Sequence, residues 1–280
     1  LSSHPKISYQ GEPGAFSEQA ARAYFGKSCT PVARETFNDI FEDVVKRRSL
    51  FAIVPIENSL HGSVHQNFDL LWKYRVHIVG EIKLRIKMNL LALPGVTTKN
   101  VRAVYSHPQA LGQCEKFLRS LKHVSVTPFY DTAGAAKMIA NERRYDAAAI
   151  ASLQAAADYG LKVLHAGIES DHRNFTRFLV IGKKLVKPKK NAKTSIIFTT
   201  KNIPGALFKC LSVFALRNIN LLKIESRPVI GSPWEYLFYL DIEGDARERE
   251  RVNALNHLQE LTSYFKNLGS YETGIIVNPK

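Results

Sequence analysis

Residues 36–59 read TFNDIFEDVVKRRSLFAIVPIENS, and this stretch sets the architecture. Thr36 and Asp39 stand where a helix start needs a side-chain acceptor and a reciprocal carboxylate. Phe37, Ile40, Phe41, Val44 and Val45 follow at helical spacing, and Lys46, Arg47 and Arg48 close the segment where the helix dipole favours cations. Leu50 to Ile56 is then a short apolar run of the kind a strand covered on both faces shows. It stops abruptly at Glu57, Asn58 and Ser59.

Working outward, the same order recurs. Val101 to Tyr105 leads into Ser106-His107-Pro108-Gln109 and a helix to Leu121. Val124 to Tyr130 leads into Asp131-Thr132 and a helix to Asn141, and Ala147 to Ala151 leads into Ser152 and a helix ended by Gly160. Strand alternating with helix predicts a largely parallel sheet with helices on both faces. Ligands of open α/β sheets sit at the carboxyl ends of the strands, where helix N-termini also face anions. Those ends carry Gln10 to Gly14, Glu57 to Ser59, Ser106 to Gln109, Asp131-Thr132, Ser152 and Asn174 to Phe178, an inventory of hydroxyls and amides with Arg177 as its main cation. A basic strand from Val76 to Lys87 reads as a crossing into a second lobe, with the chain returning near Asp171 to Phe178. Two lobes with a cleft suit enclosure of a small polar anion.

Past residue 193 the pattern changes. Thr194 to Thr200 is a β-branched strand, and Pro204-Gly205 opens a helix with Leu207, Leu211, Phe214 and Ala215 on one stripe. Leu221 to Arg227 is a strand, Pro228 and Gly231 to Pro233 make a hairpin loop, and Trp234 to Glu243 is the next strand. A helix from Arg247 to Thr262 and a strand near Phe265 to Tyr271 complete a βαββαβ, ferredoxin-like order. The edge of such a small sheet is where a partner subunit commonly pairs.

The chain of 280 residues carries a net charge of +14, and the distribution of that charge matters more than its size. Residues 1–182 hold 23 basic and 16 acidic side chains, and residues 194–280 hold 10 and 9. Between them Lys183, Lys184, Lys187, Lys189, Lys190 and Lys193 surround Pro188 without an acid, the composition of a solvated linker. No aromatic side chain interrupts them, so nucleic-acid binding ranks last among the readings. Cys29, Cys114 and Cys210 form no C-x-x-C pair and argue against a disulfide or zinc framework. The sequence holds neither a membrane-spanning apolar run nor a secretory h-region, so no membrane partner and a cytoplasmic location are expected, with the plastid stroma as the alternative if a transit peptide has been lost. Gly26-Lys27-Ser28 lacks the upstream glycine of a phosphate loop, no G-x-G-x-x-G follows a strand, and His61 with His65 lacks a third ligand nearby. No cofactor and no metal are expected.

The segments Gly11-Glu-Pro-Gly-Ala-Phe-Ser17, Pro55-Ile-Glu-Asn-Ser59, Gly62-Ser63, Ser106-His-Pro-Gln-Ala110, Asp131-Thr-Ala133 and Asn174-Phe-Thr-Arg-Phe178 together resemble prephenate dehydratase, in that family's order. Gly205-Ala-Leu-Phe208 and Glu225-Ser-Arg-Pro228 resemble the phenylalanine-sensing motifs of its ACT domain. The resemblance implies an α/β fold: a two-lobed, periplasmic-binding-protein-like (type II) catalytic domain over 1–182, its lobes being 6–84 plus 170–182 and 85–169. A linker over 183–193 and a ferredoxin-like βαββαβ ACT domain over 194–280 follow. It implies decarboxylating dehydration of prephenate, a dicarboxylate, to phenylpyruvate, with phenylalanine as effector and a homodimer or homotetramer as the assembly. Arogenate dehydratase and a non-catalytic amino-acid-sensing protein are the rival readings.

Aromatisation drives such a reaction, so the protein need only hydrogen-bond the departing hydroxyl, hold a carboxylate and exclude water. Thr176 is the expected donor to the hydroxyl, Arg177 the bidentate carboxylate clamp and Phe178 the apolar wall, with Glu57 as a second acid if buried. Asn58, Ser59, Ser106, Gln109 and Thr132 are the expected substrate-binding residues. Gly205, Ala206, Leu207, Glu225, Ser226, Arg227 and Pro228 are the expected effector-binding residues.

Overall fold

The computed structural model describes residues 4–26, 28–229, 231 and 235–278. Lys27 and three residues of the expected hairpin and strand start, Ser232, Pro233 and Trp234, lie outside them. The first lobe runs β1 (Lys6–Gln10), α1 (Phe16–Phe25), β2 (Thr30–Arg34), α2 (Phe37–Val45), β3 (Phe51–Asn58), β4 (Gly62–Ser63), α3 (His65–Lys73) and β5 (His77–Arg85). The capping pair at α2 forms as the sequence predicts: Asp39 N–H donates to Thr36 Oγ1 and Thr36 N–H to the Asp39 carboxylate, each at 3.2 Å. Its stripe of Ile40, Phe41 and Val44 is fully buried beneath β3.

The chain then crosses to a second lobe of β6 (Asn89–Ala92), β7 (Ala103–Ser106), α4 (Pro108–Gln113), α5 (Glu115–Ser120), β8 (Ser125–Pro128), α6 (Thr132–Asn141), β9 (Ala147–Ala151), α7 (Leu153–Asp158) and β10 (Lys162–Ala166). It returns to the first lobe as β11 (Phe175–Gly182). The sheets are more mixed than strand–helix alternation predicts. β1 pairs parallel with β2 and β3, but β11 runs antiparallel between β3 and β5. The reason is the double crossing, since the strand that leaves the lobe and the strand that comes back point in opposite directions. The two crossings bind each other through Ile86 N–H to Asn174 O (2.8 Å) and Ile168 N–H to Met88 O (3.0 Å).

The lobes also touch across the cleft mouth. Ser152 Oγ donates to Gly14 O, Tyr159 OH to Pro13 O, and both Tyr130 OH and Lys137 Nζ to Glu12. Gly14 has φ +86°, and a Cβ there would lie 2.7 Å from Ala155 Cα, so glycine alone allows this approach.

The last third forms β12 (Ala192–Thr199), α8 (Ala206–Ala215), β13 (Leu221–Pro228), β14 (Tyr236–Glu243), α9 (Arg249–Leu261) and β15 (Tyr264–Glu272), with sheet order β13-β14-β12-β15. This is the expected βαββαβ sandwich. One face packs on α8 and α9 through Phe198, Phe214, Leu240 and Leu258. The other docks on the first lobe, where Ile197, Tyr239 and Leu268 share one core with Phe68, Ile78 and Leu179.

Two details correct the linker reading. β12 begins at Ala192, and Lys193 is buried within it, while the other five lysines are exposed. A final strand, β16 (Ile276–Val277), pairs parallel with β5 and so rejoins the first-lobe sheet.

Candidate active site

A cavity of about 470 Å³ opens between the lobes. The first lobe contributes Gln10, Phe16, Pro55, Asn58, the loop His61 to Val64 and Thr176; the second contributes His107, Gln109, Gln113, Tyr130, Asp131 and Thr132. Nearly all sit at strand ends or helix starts. Of the expected site residues, the cleft brings together Asn58, Gln109, Thr132 and Thr176.

The hydrogen bonds fix their orientations. Asn58 Oδ1 accepts from Leu60 N–H and His61 N–H, which aims its amide at Thr176 Oγ1 (3.0 Å) and Asn174 Oδ1 (2.8 Å). Because the Thr176 hydroxyl accepts from Asn58, its own proton is free to point into the cleft. Asn174 Nδ2 continues the chain to Gln113 Oε1 (2.6 Å), leaving the Gln113 amide as a second donor. This polar string runs from the first lobe through the hinge to the second lobe. His107 and Asp131 fell within the strand-end segments read from the sequence without being singled out, and Gln113, the last residue of α4, carried no signal at all. His107 Nδ1 accepts from Gln109 N–H (3.3 Å), an arrangement that assigns the ring proton to Nε2 when the ring is neutral.

Arg177, Glu57 and Phe178 do not line the cleft, which corrects their expected roles. Alternation along the strands puts Glu57, next to Asn58, on the face away from the cleft. Beyond it lies a β-bulge: Arg177 faces Glu57 while Phe178 faces Pro55, so Ile56 is an extra residue on β3, which brings Pro55 to the cleft side together with Asn58. Thr176 faces the cleft, and Arg177, one residue on, points away. Its guanidinium is buried, with Nε 2.6 Å from Glu81, a terminal nitrogen 2.6 Å from Asp241 and Glu57 more distant at 3.9 Å. Lys193 Nζ binds the same Glu81 at 2.7 Å. Burial opposes ionisation of Glu81, but the two cations outweigh it and hold the carboxyl below its usual value. Phe178 is a core side chain.

Ser59 and Ser106 likewise use their hydroxyls for structure. Ser59 Oγ donates to Arg173 O (2.7 Å) and accepts from Phe175 N–H, and the buried Ser106 donates to Ile150 O (2.6 Å).

Among the described residues no lysine or arginine lines this cavity, while Arg34 lines the adjoining one that shares Gln10, Tyr130 and Asp131. α1 and α3 begin beside the lining residues Phe16 and Val64 and have no side-chain caps, so their first N–H groups are available there. Asp131 is the one carboxyl there, and burial pushes its pKa above the ordinary value, with a smaller push from Glu12.

In the small domain the expected effector motifs divide. Gly205, with φ +77°, starts α8 beside a cavity of about 130 Å³ lined by Thr200 to Ile203, Ala206, Leu207, Tyr236 and Phe238. The β13 register sets Ser226 against Phe238 and Pro228 against Tyr236, on that side of the sheet. Glu225 and Arg227 face the first lobe, where Ser63 Oγ donates to Glu225 (2.5 Å) and Arg227 meets Asp69 (3.3 Å). Lys223 Nζ lies 3.1 Å from Glu57 and 3.4 Å from Glu225.

Two α/β lobes closing on a polar cleft, with a βαββαβ module docked on one of them, define the class: a two-lobed α/β domain followed by an ACT domain. The family model described as prephenate dehydratase matches residues 7–185, and the ACT domain model matches 194–258. An Arabidopsis thaliana protein named arogenate dehydratase/prephenate dehydratase 2, chloroplastic, is 46% identical over 280 residues, covering 96% of this chain and 73% of the relative. The solved prephenate dehydratase of Arthrobacter aurescens in complex with L-Phe superposes with a TM-score of 0.88 at 28% identity, covering 96% of this chain and 90% of that one. A structure described as GqqA, a novel type of quorum-quenching acylase, gives 0.90 at 32% identity, covering 96% and 98%. The chain belongs to the prephenate dehydratase family.

Proposed function

We propose that the cleft aromatises a cyclohexadienol: prephenate loses its ring carboxylate as carbon dioxide and its ring hydroxyl as water, giving phenylpyruvate in phenylalanine biosynthesis. The observation that supports this most directly is the Thr176–Asn58–Asn174–Gln113 string across both lobes. It presents neutral donors, held in place before substrate arrives, and such preorganised donors stabilise charge that develops as the hydroxyl departs. The uncapped starts of α1 and α3 and the His107 Nε2–H would meet the substrate carboxylates in place of the clamp expected from Arg177.

A second reading is favoured by relatives named for arogenate. Arogenate bears an ammonium where prephenate has a keto group, and its aromatisation yields phenylalanine itself. We further infer that residues 1–182 form the catalytic unit and that phenylalanine binds the small domain beside α8 and β13. We infer a plastid location in preference to the cytoplasm, since such relatives are named chloroplastic. A homodimer or homotetramer fits the exposed Phe208, Leu216, Leu222 and Ile224 around the β13 edge.

Turnover measured side by side on prephenate and arogenate, each with and without phenylalanine, tests these readings. Carbon dioxide release from neither substrate would reject the dehydratase.

A further inference from the structure

We propose that Asp131 is the acid that protonates the departing ring hydroxyl, with Thr176 orienting that hydroxyl. The proposal rests on the dehydratase reading above and adds the proton source that reading lacks.

A threonine hydroxyl can donate a hydrogen bond but is far too weak an acid to give up its proton near neutral pH. The other acid expected from the sequence, Glu57, lies next to Asn58 on the strand and so faces the opposite side of the sheet, beside Lys223. Asp131 is then the sole carboxyl among the described residues lining the cavity of about 470 Å³ beside Thr176; Glu12 and Glu35 line the adjoining cavity that shares Gln10, Tyr130 and Asp131, without reaching Thr176's own. It stands at the start of α6, where Oδ1 accepts from Gly134 N–H at 2.8 Å. Its other oxygen looks across the gap between the lobes: a Cβ on Gly11 would come within 3.4 Å of Oδ2.

The surroundings favour the protonated form. Burial is the largest influence and Glu12 adds to it; the Gly134 and Ala133 amides and His107 act the other way without overcoming it. Lys137, the nearby ammonium, is already engaged by Glu12 at 3.0 Å, and Tyr130 donates to the same carboxylate. A bound substrate brings two more negative charges, which push a neighbouring carboxyl further up.

The step balances as follows. The bond from the ring to its carboxylate breaks, and its electron pair enters the ring as carbon dioxide leaves. The ring carbon–hydroxyl bond breaks, and the hydroxyl takes the Asp131 proton and departs as water. Asp131, left as a carboxylate, regains a proton from solvent before the next turnover.

Asp131→Asn and Asp131→Ser both keep a helix-capping side chain, so α6 retains its start in either variant. The expected result is a fall in kcat of ~10²-fold or more in both variants, equal for prephenate and arogenate, with KM changed far less. In the wild type kcat declines as pH rises through the raised carboxyl pKa, and both variants lose that decline. Near-normal kcat in either variant overturns the proposal. A loss confined to arogenate would make Asp131 an ammonium partner instead, and a loss with the pH profile intact would make it merely structural; each overturns it. A wild-type chain inactive on both substrates rejects the dehydratase reading itself, whereas an active wild type with active variants rejects only the role of Asp131.

Discussion

Replacing Arg177 by methionine separates a substrate clamp from an internal tie. The guanidinium is 9% exposed and lies 2.6 Å from both Glu81 and Asp241, one carboxylate from the catalytic lobe and one from the ACT sheet. Removing one partner of a buried ionic cluster leaves uncompensated charge and costs about 3–5 kcal/mol. Lys193 stays beside Glu81 but is 4.0 Å from Asp241, so the penalty falls mainly on Asp241. At ~2–4 °C per kcal/mol, Tm should drop by roughly 10 °C. Arg177→Lys, which cannot span both carboxylates, should fall between. The sign of the pH dependence follows from Glu81, whose folded-state value is held below the ordinary 4.5. Its stabilising contribution is therefore complete above the unfolded value and is lost as pH falls through the lowered one. Thermal unfolding from pH 3 to 8, alongside steady-state kinetics, measures both effects. A tenfold rise in KM with unchanged Tm would refute this placement and return Arg177 to the cleft.

Thr176→Ala should lower kcat by ~10²-fold or more with little change in Tm, because the hydroxyl faces solvent-filled space rather than core; near-normal turnover in the same assay removes it from the mechanism. Gly14→Ala should destabilise by more than about 1 kcal/mol and slow turnover, since φ +86° and the Ala155 contact both exclude a Cβ; an unchanged melting curve counts against the tight lobe contact. Lys223→Met should raise the phenylalanine concentration for half-inhibition at least ~5-fold, since Lys223 joins β13 to Glu57; an identical inhibition curve would show that control takes another route.

The helix and strand order was legible because local rules and tertiary packing agree. Thr36 and Asp39 cap α2 as their spacing demands, and the strand read over Leu221 to Arg227 forms, extended by one residue to Pro228. The site was legible as far as position along a strand determines direction. Asn58, Gln109, Thr132 and Thr176 reach the cleft from strand ends and helix starts. Arg177 and Glu57 were misread because the motif was taken as a unit, whereas alternation along a strand sends Thr176 and Asn58 to the cleft and their neighbours Arg177 and Glu57 to the other face. Ser59 and Ser106 were misread because a hydroxyl at a strand end is equally suited to a backbone carbonyl, and the partner that claims it is distant in sequence. Lys193 was misread for a similar reason: the acids that draw it inward, Glu81 and Asp241, are far along the chain on either side.

The placement of β16 has a practical consequence for anyone editing the gene. After completing the small sandwich at Glu272, the polypeptide doubles back along β5, passing so near that a Cβ on Gly274 would sit 2.5 Å from Glu81 O. Replacing Ile276 and Val277 by proline would thus disturb an edge strand of the catalytic lobe. The two halves are stitched by chain threading, and a protease nick at Thr273 should loosen the lobe that began at Lys6.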